Sequence, residues 1–266
     1  MLQGTVILNN CDVNILYLIA ACAKFFVGSE FSFVDTSRSN VPRSTTLENA
    51  LDSVKSLQTH FIYFSSSMVY GNFDGVSVKE DRHCKPMGIY GALKYAGEQI
   101  VTAYNQVFGL PYTIIRPSAL YGERCVSRRV GQAFIENALS GQNLSINGDG
   151  NDSLDFTYID DLVQGVIKCI ENSAAQNEIF NLTYGSARSL NDLAQLVQNR
   201  FPKITINHKP VDKLMPERGT LSIEKAKALI GYQPTFPVEK GFERYLDWYC
   251  DLASKKSTLF KLDLTN

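Results

Sequence analysis

Residues 59–71 read THFIYFSSSMVYG, and this stretch decides the fold class. Apolar and aromatic side chains fill positions 61–64 without alternation, as in a strand that is covered on both faces. Three serines follow immediately at positions 65–67. Open α/β sheets place their ligand crevice at the carboxyl ends of such strands. The stretch therefore predicts a buried parallel strand that ends at a polar site.

The segments on either side predict further elements of the same sheet. Val13 to Ala21 is apolar apart from Asn14 and predicts a second interior strand. Helical spacing predicts a helix from Ile89 to Val107, and YTIIR at 112–116 predicts the strand after it. This order is typical of a doubly wound, Rossmann-like α/β fold with a parallel sheet. We expect the buried stripe of the helix to contain Ala92, Tyr95, Ala96, Ile100, Ala103, Tyr104 and Val107.

The C-terminal part of the chain has fewer apolar runs and predicts a smaller, mostly helical lobe. Helices are predicted at 128–139, 190–200 and 223–230, a strand at 154–158, and an amphipathic aromatic stretch at 242–249. We expect a Rossmann-like domain over residues 1–184 and a substrate-binding lobe over residues 185–266. Residues 123–152 are expected to contribute to that lobe as well.

Composition excludes several classes of partner. The 266 residues include 44% hydrophobic and 20% charged residues, with a net charge of −1 and a pI near 6.3. A nucleic-acid-binding protein uses a basic surface to neutralise phosphates, and this balance provides none. The longest apolar run, at 15–23, is far shorter than the roughly 20 residues of a membrane helix. A small-molecule partner, with no nucleic acid and no membrane, is the expectation.

Cysteine and histidine usage gives no sign of a metal site or of a disulfide framework. The six cysteines lie far apart and form no CxxC pair, and the three histidines show no ligand spacing. Reduced thiols are typical of the cytosol, so we expect a cytoplasmic protein that binds no metal.

Tyr90 and Lys94 are the strongest candidates for a reaction centre. Of the thirteen tyrosines, only Tyr90 has a lysine four residues later. Helical geometry places both side chains on one face, about 5–6 Å apart at Cβ. A neighbouring ammonium lowers the pKa of a phenol from its ordinary value of about 10, which suits a general base. The pattern alone is also typical of a helix that exposes a lysine beside a buried aromatic residue.

Five segments together resemble a known family. FSSSMVYG, YGALK, RPSALYGER, INGDGNDSLDFTYIDDLV and PERGTLSIEKAKALIGYQP occur in the order and approximate spacing of the extended short-chain dehydrogenase/reductases. They are most similar to the NAD-dependent epimerase/dehydratase branch typified by UDP-glucose 4-epimerase. The resemblance runs from about Asp12 to Tyr249. It implies NAD as cofactor and a nucleotide sugar as substrate.

The resemblance also implies a role for each site residue. Tyr90 is implied to remove a proton from a sugar hydroxyl, Ser66 to hydrogen-bond the reacting oxygen, and Lys94 to hold the nicotinamide ribose. The implied reaction is epimerisation through a transient 4-keto sugar to which the hydride returns. The implied cofactor-binding residues are Ala20, Ala21, Ser65, Tyr90, Lys94, Pro117 and Ser118, and the implied substrate-binding residues are Ser66, Ser67, Tyr90 and Arg218.

The glycine-rich turn that opens this family is missing from the start of the sequence. No GxGxxG precedes Asp12, and the glycines at 148–150 precede a strand rather than opening a helix. Because that turn and the helix after it bind the dinucleotide pyrophosphate, we expect weak NAD binding. We also expect an N-terminally shortened sheet with an exposed edge, which leaves a homodimer open.

Single positions also depart from the family pattern. Ala119 stands where many relatives have asparagine, and Leu154 where many have arginine. Ser67 and Met68 replace the acid and base of the sugar dehydratases, which argues against dehydration. Asp160 and Asp161 are expected as the N-cap and first-turn acids of a helix, where carboxylates stabilise unpaired amides and the helix dipole, rather than in catalysis.

Three functions stay open from the sequence. The first is an NAD-dependent nucleotide-sugar epimerase. The second is a truncated, non-catalytic sugar-nucleotide-binding protein or gene fragment, because the glycine-rich turn is missing. The third is an NAD(P)-dependent sugar-nucleotide reductase on the same fold.

Overall fold

The computed structural model describes residues 30–31, 45–46, 51–52, 60–125, 128–210 and 216–255. The predicted strand at 13–21, with Ala20 and Ala21, lies outside the described residues. In chain order the strands are β1 (Glu30–Phe31), β2 (Thr45–Thr46), β3 (Phe61–Phe64), β4 (Tyr112–Arg116), β5 (Leu120–Tyr121), β6 (Leu144–Asn147), β7 (Ser153–Leu154), β8 (Thr157–Tyr158), β9 (Glu178–Asn181), β10 (Arg188–Ser189) and β11 (Ile206–Lys209). The helices are α1 (Gly88–Phe108), α2 (Val130–Leu139), α3 (Ile159–Glu171), α4 (Leu190–Arg200), α5 (Glu224–Ile230) and α6 (Val238–Lys255).

Strands β3, β4 and β9 form a parallel sheet with β4 in the centre. Every residue of β3 and β4 is buried, because both faces of the sheet are covered. Phe61 and Tyr63 pack with Ile114 on the face that α1 covers. Ile62 and Phe64 pack on the opposite face against residues of α3 and α5. The prediction of interior parallel strands covered by helices is confirmed for these elements, and the fold is α/β.

Helix α1 matches the prediction in its bounds, but the predicted buried stripe was wrong. The buried residues of α1 are Gly91, Lys94, Gly97, Glu98 and Val101. Ala92, Ala96, Ala103 and Val107 are exposed, and Tyr95, Ile100 and Tyr104 are half-buried. The physical reason is close approach, since a Cβ on Gly91 would lie 2.6 Å from the carbonyl oxygen of Met68. Hydropathy assigns the wrong face of a helix to the interior when the buried face consists of glycines and of charged residues that have a partner.

A second core lies in the C-terminal part of the chain. Its buried side chains come mainly from the β5–β8 segments, from α2 and α4, and from the aromatic residues of α6. The predicted helices at 190–200 and 223–230 are confirmed as α4 and α5 within one residue, and the helix at 128–139 begins slightly later, as α2. The aromatic stretch at 242–249 lies on α6, where Phe242 and Tyr245 are buried. Ile159, the first residue of α3, packs both against this core and against the core between α3 and the β3–β4–β9 sheet.

The strand predicted at 154–158 is divided into two short strands, which corrects the prediction. Leu154 pairs antiparallel with Arg188 of β10, whereas Tyr158 pairs parallel with Tyr121 of β5. Between them the fully buried carboxylate of Asp155 accepts hydrogen bonds from loops. The backbone leaves one strand partner and joins another at this residue.

Candidate active site

The serine turn is joined to the end of β4 by backbone hydrogen bonds. The amide of Ser65 donates to the carbonyl of Ile115 at 2.7 Å, and the amide of Ser67 donates to Pro117 at 2.9 Å. Ser66 caps the short 3-10 turn at 67–70, and its Oγ accepts from the amide of Met68 at 3.2 Å. The three serines therefore lie beside the start of the segment that contains Pro117 and Ser118.

Lys94 lies at the same edge of the sheet. Its buried Nζ donates to the carbonyl oxygen of Phe64, the last residue of β3, at 2.8 Å. The same Nζ lies 5.9 Å from the ring centroid of Tyr90 and 5.5 Å from that of Tyr63. Tyr90 is half-buried and lies one helical turn before Lys94. The structure thus places the predicted lysine and tyrosine on one face of α1, next to the carboxyl end of β3.

The segment after β4 completes this edge of the sheet. Ser118 is buried, and Ala119 has a φ of +35°, in the left-handed region that alanine rarely adopts. Ser65, Ser66, Ser67, Tyr90, Lys94, Pro117 and Ser118, all predicted site residues, gather here. Such gathering at the carboxyl ends of parallel strands is where open α/β sheets bind their ligands.

Arg218 lies on a separate segment that packs along the loop after the serine turn. The amide of Phe73 donates to Glu217 at 3.0 Å, and the amide of Glu217 donates to Asn72 Oδ1 at 2.9 Å. Burial lowers the pKa of Arg218 to about 10, and the positive charge of Arg129 acts in the same direction. The negative charge of Asp152 acts in the opposite direction on the pKa of Arg218. A guanidinium group is suited to contact with a phosphate. Arg218 is a predicted substrate-binding residue, and Arg129 was not among the residues predicted from the sequence.

Asp155 was also missed, although it lies inside a quoted motif. Its carboxylate accepts hydrogen bonds from the amides of Leu221 and Gly185, at 3.0 and 3.1 Å, and from the hydroxyl of Thr183 at 3.1 Å. Burial raises the pKa of Asp155 to about 6, while the hydrogen bonds from Leu221 and Gly185 oppose that rise. The residue ties the segment of Arg218 to the loop after β9.

Asp160 and Asp161 both lie in the first turn of α3, but the predicted N-cap role was wrong, because the N-cap is Tyr158 and no side chain caps the helix. Asp161 is buried, and its carboxylate accepts from the amides of Thr235 and Phe236 at 2.7 and 2.9 Å. Asp160 is exposed and lies 3.5 Å from Arg244. Asp161 therefore anchors the loop that leads into α6.

A buried ion pair between Arg116 and Glu98 adjoins the site, and sequence reasoning missed it. The signals were an arginine that ends an otherwise apolar strand and a glutamate one turn after Lys94.

Within the described residues, no group of three or more histidine, cysteine, aspartate or glutamate side chains is arranged to hold a metal ion. Across the same ranges, no helix combines the length and apolar character that a membrane span requires.

A family model and the similar known proteins identify the same family. Residues 7–183 match the model of the NAD dependent epimerase/dehydratase family. The chain is 30% identical over 198 residues to an uncharacterized UDP-glucose epimerase of Bacillus subtilis, covering 74% of this chain and 62% of that protein. It is 30% identical over 229 residues to UDP-glucuronate 4-epimerase 4 of Arabidopsis thaliana, covering 77% and 52% respectively. The chain thus spans less than two thirds of the length of these curated relatives.

Solved structures show the same fold. The UDP-glucuronic acid 4-epimerase of Bacillus cereus, in complex with UDP-glucuronic acid and NAD, is 29% identical with a TM-score of 0.73, covering 77% of this chain and 66% of that one. The UDP-glucose 4-epimerase of Thermotoga maritima, with UDP-glucose, is 26% identical with a TM-score of 0.73, covering 77% and 68%. The chain belongs to the NAD-dependent epimerase/dehydratase family.

Proposed function

We propose that this chain catalyses the NAD-dependent epimerisation of a nucleotide sugar at C4. The observation that carries the proposal is the position of Lys94, held at the carbonyl of Phe64 beside Tyr90 and next to the serine turn. Relatives with 26–30% identity are named as UDP-glucose or UDP-glucuronate 4-epimerases, which supports a UDP-sugar as the substrate.

The described residues fit the nicotinamide end of NAD. Lys94 offers an ammonium for ribose hydroxyls, and Pro117 and Ser118 line the edge of the sheet beside it. Ser65 contributes a buried hydroxyl at the same edge. Ala20 and Ala21, proposed for the cofactor as well, lie outside the described residues. When bound, NAD supplies a reversible acceptor for the hydride from the sugar.

The residues of the chain divide the proton chemistry between them. Tyr90 takes the proton of the sugar 4-hydroxyl as the hydride leaves, and gives it back after the 4-keto sugar has presented its other face. Ser66 keeps a hydroxyl hydrogen for the reacting oxygen, because its Oγ lone pair is used by the amide of Met68. Lys94 provides the positive charge that favours the phenolate of Tyr90. Ser67 and Met68 supply no acid and base pair for dehydration.

Arg218 and Arg129 are proposed to hold the substrate diphosphate. The positive charge of Arg129 acts on Arg218, with Asp152 acting against it. Guanidinium groups suit bidentate contact with phosphate. Arg129 precedes α2, so the amino-terminal end of that helix adds a favourable dipole. Arg129 thus offers a second cation, whereas Leu154, which replaces the usual arginine, lies buried in the C-terminal core.

The free cysteines support a cytoplasmic location. The four cysteines among the described residues, Cys84, Cys125, Cys169 and Cys250, form no disulfide. A reducing compartment is where unpaired cysteines in this number are usual.

The test is the loss of one hydroxyl. Tyr90→Phe keeps the ring and should reduce epimerase turnover by ~100- to 10,000-fold, the range of a general base. Tyr104→Phe is the matched control, because Tyr104 lies on the same helix about 21 Å further along. Conversion of UDP-glucose or UDP-glucuronic acid with added NAD is followed by NMR. Equal turnover in wild type and Tyr90→Phe would show that Tyr90 is not the base.

A further inference from the structure

Helix α1 carries Tyr90 and Lys94, and few of its fully buried positions are apolar side chains. Within α1, all of whose residues are described, Val101 is the one fully buried apolar side chain larger than glycine. Gly91 and Gly97 allow close approach but provide no side-chain interaction of their own. Lys94 and Glu98 fill the remaining buried positions. Tyr95, Ile100 and Tyr104 add half-buried contacts with the neighbouring cores. The register of this helix against the sheet therefore rests on these contacts together with the polar contacts of its buried face.

Glu98 makes the strongest of these contacts. Its carboxylate receives two parallel hydrogen bonds from Arg116, Nε to Oε1 at 2.9 Å and Nη2 to Oε2 at 2.6 Å. The side chains are 2% and 3% exposed, so water does not compete for this pair. Burial alone would lower the pKa of Arg116, but the hydrogen bonds to Glu98 raise it above its ordinary value. The two parallel hydrogen bonds orient the guanidinium of Arg116 against the carboxylate of Glu98.

Arg116 also reaches the serine turn. Its Nη1 donates to the hydroxyl of Tyr70 at 2.9 Å and to the carbonyl of Glu80 at 3.1 Å. Burial raises the pKa of Tyr70, so its hydroxyl keeps the proton that it donates to Asn181 Oδ1 at 2.8 Å. Tyr70 is the last residue of the turn that Ser66 caps. One guanidinium thus connects α1, the end of β4, the serine turn and the end of β9.

We propose that Arg116 and Glu98 are positioning residues that set where Tyr90 and Lys94 lie relative to Ser66. Glu98 follows Lys94 by one turn on the same buried face, so a shift of Glu98 moves Lys94 with it. Arg116 fixes the other side, because it is joined to the turn of Ser66 through Tyr70. The expected loss of turnover rests on the proposed function, whereas the effect on the positions of Tyr90 and Lys94 does not.

A purely structural role for the ion pair is the alternative, and the two roles predict different results when the pair is replaced. Exchanging a buried ion pair for apolar residues of similar volume is often neutral or stabilising. The double variant Arg116→Met with Glu98→Leu should therefore fold, while the two-pronged contact that defines register is lost. A structural role predicts normal turnover in this variant, and a positioning role predicts a loss.

The experiment compares Glu98→Gln, the double variant and wild type in the full chain. Glu224→Gln is the matched control, because it makes the same change in an exposed ion pair with Lys227 on α5. Melting temperatures establish folding. Turnover and KM are measured with UDP-glucose and NAD, and the titration of Tyr90 is followed by NMR of 13Cζ-labelled tyrosine, assigned with Tyr90→Phe.

We expect a loss of kcat of at least tenfold in both variants, with KM changed less than threefold and the Tyr90 titration moved to higher pH. The control should match wild type in all three. Folded variants with unchanged kcat and an unchanged Tyr90 titration would overturn the proposal. If wild type shows no epimerase activity, the proposed function fails, and the Tyr90 titration alone decides the positioning role: a shift supports it and no shift overturns it.

Discussion

Adding one methyl group at Gly97 should displace the helix that carries Tyr90 and Lys94. A Cβ built on Gly97 would lie 2.6 Å from Cζ of Tyr63, whereas ordinary contact begins near 3.4 Å. Tyr63 is 1% exposed and its hydroxyl donates to the carbonyl of Lys94 at 3.3 Å, so the ring has no room to move away. The helix itself must shift by about 0.8 Å or more.

Two opposing effects decide the size of the loss. Alanine is favoured over glycine in a helix interior by about 1 kcal/mol. Overpacking a well-filled core costs about 1–3 kcal/mol. Gly97→Ala should therefore lower the free energy of unfolding by up to ~2 kcal/mol. A misplacement of about 1 Å at reacting groups costs on the order of 100-fold in rate, so turnover should fall by about that factor.

Urea unfolding followed by Trp248 fluorescence and epimerase turnover measure the two effects. Ala103→Gly is the control, because Ala103 is exposed on the same helix and its change alters helix propensity alone. The double variant Gly97→Ala with Tyr63→Leu should recover part of the turnover, since the obstructing ring is removed. A Gly97→Ala variant that is more stable than wild type and fully active would refute the reasoning.

The remaining predictions concern binding, stability and pH. Arg218→Ala should weaken UDP-glucose affinity by ~1.5–3 kcal/mol, measured by calorimetry, and unchanged affinity would remove Arg218 from the site. Asp161→Ala should lower the free energy of unfolding by about 3 kcal/mol, because the amides of Thr235 and Phe236 lose a charged acceptor. Burial lowers the pKa of His60, so the unfolded chain takes up a proton first on acidification. Stability should fall as the pH drops below 6.5, and His60→Gln should flatten that dependence in urea titrations at pH 5.5 and 7.

Strand β3, helix α1 and strand β4 could be predicted because their local signals agree. An unbroken apolar run, a helical period and a second apolar run each indicate one structure, and the serines mark the site. The division of 154–158 into two strands could not be predicted in this way. It depends on a buried carboxylate, Asp155, whose hydrogen-bond donors come from residues 28 to 66 positions away.

The prediction of which face of α1 is buried failed for a related reason. Hydropathy assigns Ala92 and Val107 to the interior, and it assigns Glu98 to the surface. In the structure a distant arginine, Arg116, neutralises Glu98, and backbone contact favours Gly91 over larger apolar residues. A buried charge is stable only beside its partner, so neither Arg116 nor Glu98 can be predicted as buried from its own position in the sequence. The same dependence hid Arg129, whose charge adjoins Arg218 only after the chain has folded.

The most direct test of the account is the fate of the hydrogen at C4 of the sugar. The protein is incubated with UDP-glucose and NAD in D2O, and both the epimer and its C4 position are examined by NMR. The account predicts formation of the C4 epimer with no deuterium at C4, because the hydride that leaves is the one that returns. Deuterium at C4, or no epimer from either UDP-glucose or UDP-glucuronic acid, would contradict it.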